Sequence, residues 1–316
     1  MKKKPLIVFL TGGLGNQLFQ LANAVSSEPD REIILEWVLG KPRCDSRGLP
    51  DIQCFRLPDR VKFMPVVRYS YLASKTAGYL LRSGIAPKGW ETKRIIQRTT
   101  LLMGSVVLSM HFRRLLKILR GTGIGYSTVT PQADTGFIIG YFQSFKFKEK
   151  NYAYQELRQL TLARENADIE GFRELAMLEQ PIVVHFRFGD YKLEDSFGIP
   201  GPAYYREALD EVTYKYPKSK IWVFTDEEEE AEKVFPIKHS SNTRWFTDKN
   251  LTSAETLELM RFGKAYIIAN STFSWWGAML SNSENPMVIC PDRWFKSQAE
   301  PLDLIPKYWK RVPAWQ

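Results

Sequence analysis

The sequence predicts an α/β protein in two domains, and three observations carry that reading. The chain has 316 residues, more than a single core of the usual size, about 150 residues, accommodates. Short apolar or β-branched runs alternate with helical patterns in both halves, as parallel α/β folding requires. Three runs in the second half, ending at His185, Thr225 and Asn270, turn abruptly from apolar to polar at their last residue. Open α/β sheets bind ligands outside such carboxyl ends. Domains of 1–165 and 166–316 are expected, with the ligand on the second.

In the first half, residues 6–10 read as a buried strand, and Thr11-Gly-Gly-Leu-Gly-Asn-Gln-Leu-Phe-Gln20 as a glycine-rich turn opening a helix that runs through Ala24. Gly13 and Gly15 let backbone N–H groups approach a ligand, and a helix N-terminus offers partial positive charge to an anion. The third glycine of a dinucleotide fingerprint is missing, so the same residues also suit a plain strand-to-helix turn. Residues 31–59, with Pro42, Pro50 and Pro58, hold loops and short strands.

Residues 75–120 carry ten Lys or Arg side chains against Glu91 alone, an excess equal to the whole chain's net charge of +9. Apolar groups such as Leu115, Leu116, Ile118 and Leu119 are interleaved with them, which reads as amphipathic helix. Two readings stand for its cationic face: an ordinary solvated surface, or contact with an anionic membrane. Residues 136–146 read as a strand with aromatic core residues. Residues 149–179, with leucines at helical spacing, read as a helical connection into the second domain.

The second half opens with the β-branched run Ile182-Val-Val184, a strand covered on both faces, followed within six positions by His185, Arg187 and Asp190. Arg187 and Asp190 can close a loop as an ion pair, or they can face a ligand. Residues 204–212 are helical and Pro217 ends them; residues 221–225 form the next strand and deliver Thr225 and Asp226. Glu227 to Glu230 then suit a helix first turn. Thr252-x-x-Glu255 is a capping box before another helix. The strand 265–269 leads into Asn270-Ser-Thr-Phe-Ser-Trp-Trp-Gly277 and a further helix. Two readings stand here: Asn270, Ser271, Thr272 and Ser274 can offer hydrogen bonds to a phosphate or ribose and Phe273 an apolar wall to a base, or the stretch is an N-cap over an aromatic core, which the residues alone favour.

Composition narrows the classes. A chain 44% hydrophobic and 13% aromatic packs a core. Cys44, Cys54 and Cys290 are odd in number and widely spaced, which suggests neither a disulfide framework nor a zinc site and suits a reducing cytosol. Met1-Lys-Lys-Lys before an apolar run imitates a secretory signal, but Thr11, Gly12 and Gly13 break the run too soon. No stretch offers the roughly 20 apolar residues of a membrane span. No nucleic-acid motif accompanies the basic charge.

These stretches together resemble the bacterial α-1,2-fucosyltransferases, glycosyltransferase family eleven. Gly12-Gly-Leu-Gly-Asn-Gln-Leu-Phe-Gln20, Gly140-Tyr-Phe-Gln-Ser144, His185-Phe-Arg-Phe-Gly-Asp-Tyr191, the strand ending in Thr225-Asp226, and Asn270-Ser-Thr-Phe-Ser-Trp-Trp-Gly-Ala278 are similar to the family's motifs and keep their order. The resemblance implies a GT-B-like arrangement, two Rossmann-like domains facing across a cleft, with the nucleotide on the second. It implies an inverting, metal-independent transfer of L-fucose from GDP-β-L-fucose to a galactoside 2-hydroxyl. A related GDP-deoxysugar such as colitose, or a noncatalytic nucleotide- or glycan-binding module, are the alternatives. No cofactor is expected beyond the donor GDP-L-fucose. The implied partner is an oligosaccharide or lipid-linked glycan, with no nucleic acid, and the implied location is cytoplasmic, extending to the inner face of the membrane through residues 75–120.

Departure of a diphosphate needs a positive charge, and Asp-x-Asp, a common metal-binding tripeptide of glycosyltransferases, occurs nowhere in the chain. Arg187, whose guanidinium can hold two phosphate oxygens, is expected to supply it, with Asp190 orienting it or touching the sugar. The family commonly has a second arginine next, where this chain has Phe188. The resemblance implies Asp195 as the base, with Glu194, His185 and Asn16 as rivals, and places Asn16 near the transferred sugar.

Overall fold

The computed structural model describes residues 5–37, 43–44, 48–63, 103, 117–120, 135–235, 241–247, 251–301 and 303–315. The chain forms two compact units. One holds Met1–Leu160 with Pro301–Leu304, the other Thr161–Glu300 with Ile305–Gln316.

The first unit is built on a parallel sheet. Its strands are β1 (Leu6–Phe9), β2 (Ile33–Glu36), β3 (Val61–Phe63), β4 (Lys117–Arg120) and β5 (Thr135–Ile139), in the spatial order β3-β2-β1-β5-β4. Central β1 is buried along its whole length, as its unbroken apolar run requires. Helix α1 (Leu14–Ser27) follows β1 and presents Leu14, Leu18, Leu21, Ala22 and Val25 to the interior. Helix α2 (Asn151–Arg158) is the last described helix of this unit.

Two expectations are corrected here. Ile118 and Leu119, read as part of an amphipathic helix, lie in β4, paired with Phe137 and Ile138 of β5. A short apolar run does not distinguish helix from buried strand, and pairing with a neighbour decides. The remainder of the basic segment 75–120, apart from residue 103, lies outside the described residues. The helical stretch 149–179 is two helices, α2 and α3 (Asp168–Glu179), separated at the boundary between the units.

The second unit repeats the scheme. Its strands are β6 (Ile182–His185), β7 (Ile221–Thr225), β8 (Thr243–Thr247), β9 (Ala265–Ile267), β10 (Met287–Pro291) and β11 (Lys310–Val312), with α4 (Pro202–Lys215), α5 (Glu228–Val234), α6 (Ser253–Met260) and α7 (Thr272–Met279) between them. All pairings are parallel, in the order β8-β7-β6-β9-β10-β11. In chain order that is three-two-one-four-five-six, the doubly wound arrangement of nucleotide-binding folds. The strand order reverses between β6 and β9.

Ile182, Val184, Val223 and Ile267 from the strands meet Tyr205, Ala208 and Val212 from α4 in one buried cluster. Each large side chain so buried contributes about 1.5–3 kcal/mol. The two tyrosines of α4 also satisfy main chain beyond the sheet ladder. The Tyr204 hydroxyl donates to Ile268 O at 2.6 Å, and the Tyr205 hydroxyl to His185 O at 3.2 Å. The capping box is formed: Thr252 Oγ1 accepts from Glu255 N, and Glu255 Oε2 accepts from Thr252 N at 2.8 Å.

Candidate active site

At the reversal point of the second unit, β6 ends at His185 and the chain alternates core and surface. Phe186 and Phe188 are buried, their rings parallel with centroids 6.1 Å apart, so Arg187 between them is turned the other way. Arg187 Nη1 lies 2.8 Å from Asp226 Oδ2, and Nη2 lies 2.5 Å from Asp190 Oδ1. The guanidinium carbon stands 5.8 Å from the Tyr191 ring centroid. Burial disfavours its charge, but Asp226 and Asp190 outweigh burial and hold its pKa above the ordinary arginine value.

The two carboxylates differ. Asp226, from the end of β7, is 13% exposed, and its Oδ1 also accepts the Phe188 N–H at 2.9 Å. Asp190 is 60% exposed. Gly189 makes the close turn possible: its φ is +22°, and a Cβ there would stand 2.8 Å from Asp226 Oδ2. Phe188, where the resemblance leads one to expect a second arginine, belongs to the core and offers no cation.

His185 is buried, its ring centroid 5.8 Å from that of Phe273, and its Nδ1 has no hydrogen-bond partner. Burial, aided by the positive charge of Arg187, lowers its pKa to about 3. A group this acidic in its protonated form is a weak base at neutral pH. His185, expected as a rival base, is thus a neutral, buried group at the end of β6.

Several expected ligand contacts are occupied by the fold itself. Asn270 is fully buried and donates through Nδ2 to Phe197 O and Gly198 O at 3.0 and 3.2 Å, while its own carbonyl accepts from the Tyr191 hydroxyl at 3.0 Å. It thus ties the loop after Arg187 to the end of β9. Ser271 Oγ caps α7 by accepting from Phe273 N, and Ser274 Oγ donates to Ser271 O at 3.2 Å. Thr225 Oγ1 closes the turn at Glu227. Thr272 and Phe273, half-buried at the start of α7, remain beside the positive end of that helix. Glu194 and Asp195 are exposed in the turn after the 3-10 segment Gly189–Leu193, and Glu194 accepts from Ser196 Oγ at 2.5 Å.

The first unit has its own polar cluster at the carboxyl ends of β1 and β5. Gly13 is the N-cap of α1, with Gly15 and Asn16 in the first turn. Three glutamines build the loop around them. Gln17 Nε2 donates to Gly12 O and Arg43 O, both at 3.0 Å. Gln20 accepts from Thr11 N and donates to Gly140 O. Gln143 Nε2 donates to Asn16 Oδ1 at 2.9 Å. All three lie in the motif stretches 12–20 and 140–144, but a buried amide has no periodic signal, so sequence reasoning gave them no role of their own. Asn16 belongs to this unit and Arg187 to the other. Among the described residues, no three His, Cys, Asp or Glu side chains gather as metal ligands would.

Comparison with known proteins adds to this geometry. The model of "Glycosyl transferase family 11" matches residues 119–309. The chain is similar to an α-1,2-colitosyltransferase of Escherichia coli, 25% identical over 97% of this chain and 98% of that one. It is also similar to the O-antigen biosynthesis glycosyltransferase WbnK of Escherichia coli, 33% identical over 35% of this chain and 38% of that one. A solved family 9 glycosyl transferase from Veillonella parvula superposes with a TM-score of 0.50 at 11% identity, covering 100% of this chain and 86% of that one, a likeness of fold.

Proposed function

We propose, given that the chain belongs to glycosyl transferase family 11, that it moves a 6-deoxyhexose from a GDP-sugar to a 2-hydroxyl of a galactoside in a bacterial surface glycan or its precursor. The observation that carries this reading is Arg187 at the strand-order reversal, gripped by Asp226 from β7 and Asp190 from its own loop. L-fucose is the donor sugar of this proposal. Colitose is the second reading, favoured by the name of the relative that matches nearly the whole chain.

The acceptor hydroxyl attacks the anomeric carbon, the bond to the β-phosphate oxygen breaks, and GDP leaves with inversion. As it stands, the trio Arg187, Asp190 and Asp226 carries one net negative charge, which opposes a diphosphate. Asp190 is the partner that yields, being exposed and bonded at one edge of the guanidinium, and a phosphate oxygen takes its place. Arg187 then stabilises the charge developing on the leaving group from a fixed position, an effect worth several kcal/mol. Asp195 is assigned the acceptor proton, and Asn16 an oxygen of the sugar. Thr272 and Phe273 at the start of α7 are assigned to the nucleotide.

The test is a panel of nucleotide sugars given to purified protein with and without a β-galactoside. Release of GDP from GDP-β-L-fucose or GDP-colitose, faster with the galactoside, supports the reading. GDP binding without transfer to any acceptor would leave a binding module instead.

A further inference from the structure

We infer that Gln143 is a positioning residue that sets the side-chain amide of Asn16, so that Nδ2 rather than Oδ1 is the group offered to a sugar oxygen; this rests on the function proposed above. Gln143 is 6% exposed and its Nε2 donates to Asn16 Oδ1 at 2.9 Å, joining residues 127 apart in sequence. With one lone pair of that oxygen engaged, the half-buried Asn16 keeps both Nδ2 donors against a single acceptor site beside the Gln143 amide, so Nδ2 is its main free group.

Two further features show that the arrangement is held against a cost. Phe142, immediately before Gln143, has φ +54°, a conformation that side chains rarely adopt and that persists where surrounding structure imposes it. Gln143 Oε1 is buried with no hydrogen-bond partner. A buried amide with one arm unbonded destabilises the fold relative to an apolar side chain of the same shape. Packing alone therefore does not account for glutamine here, whereas the bond to Asn16 does. Gly12 completes the pose: its φ is +74°, and a Cβ there would lie 2.5 Å from Asn16 Nδ2. The pair thus selects a ligand atom that accepts hydrogen bonds, a sugar hydroxyl or ring oxygen.

Gln143→Glu and Gln143→Met separate this from a structural role. An ionised carboxylate in place of the Gln143 amide accepts and cannot donate, so Gln143→Glu draws Asn16 Nδ2 inward and turns Oδ1 outward; Gln143→Met releases the asparagine amide. In protein isotope-labelled at asparagine, the Asn16 side-chain signal, identified by its absence from Asn16→Asp, is expected to shift in both variants. Turnover is expected to fall at least about tenfold in both, with the KM for donor and the melting temperature little changed in Gln143→Met. As pH falls and the introduced carboxylate takes up a proton, it donates again, and Gln143→Glu is expected to recover relative to wild type. An unshifted Asn16 signal, or wild-type turnover by either variant, would overturn the assignment. Absence of turnover by wild type on every donor would count against the proposed function alone, because the Asn16 signal is read without substrate.

Discussion

Asp226 holds both the side chain of Arg187 and the backbone next to it: Oδ2 lies 2.8 Å from the guanidinium, and Oδ1 accepts the N–H of Phe188 at 2.9 Å. A guanidinium fixed in this way loses little further freedom on meeting a ligand, which is how a charge becomes preorganised. Lysine reaches the same region as a point charge without the planar fork. Arg187→Lys is expected to keep its fold, judged by circular dichroism, and to lose about three orders of magnitude in kcat/KM.

The two carboxylates around Arg187 should behave oppositely toward GDP. Asp190→Asn removes a competitor for the guanidinium and one negative charge, so calorimetry should show GDP binding several-fold tighter, by Coulomb's law at a partly exposed site. Asp226→Ala leaves Arg187 and the Phe188 N–H without this partner, and affinity should drop by about tenfold or more. Weaker binding by Asp190→Asn would count against the displacement of Asp190 by phosphate.

His185 gives a stability signature. Its folded pKa is about 3 against an ordinary 6.5, so in acid the unfolded chain takes up a proton that the folded chain refuses. Its contribution is present above pH 6.5 and is lost as pH falls toward 3, about 2 kcal/mol of it by pH 5. His185→Gln should flatten that part of the stability curve in denaturant titrations. The kcat/KM profile should lack a limb near pH 6.5 from this group.

The basic segment 75–120 separates two partners. Sedimentation with vesicles containing anionic lipid should carry the protein down, and added salt should release it, because the attraction is screened. Neutral vesicles and RNA should not bind comparably. RNA binding of equal strength would remove the membrane reading.

Much of this fold was legible in the residues. Ile182-Val-Val184 announced a strand buried on both faces, Thr252 and Glu255 announced a helix start, and the polar residues after three apolar runs marked strand ends that all belong to one parallel sheet. Periodicity and end signals are local, so sequence carries them. The grip of Asp226 on Arg187, across 39 residues, and the bond of Gln143 to Asn16 depend on register between distant segments, which no local pattern encodes. Ile118 and Leu119 misled for the same reason: their strand exists by virtue of β5. Asn270, Ser271 and Ser274 read as ligand donors because their chemistry suits it; in the turn they build, Asn270 Nδ2 and the Ser274 hydroxyl also donate to main chain and the Ser271 hydroxyl accepts from it.

Pro301–Leu304 leaves the second unit to pack with the first, where Asp303 O accepts from Phe145 N at 2.7 Å, its carboxylate pairs with Lys146 at 3.0 Å, and Leu304 is buried. Protease nicking between Leu160 and Thr161 would accordingly yield two fragments that co-purify. Residues 1–160 produced alone would lack a piece of their own core, and recombining the halves from separate genes should succeed only when the later fragment retains that short detour.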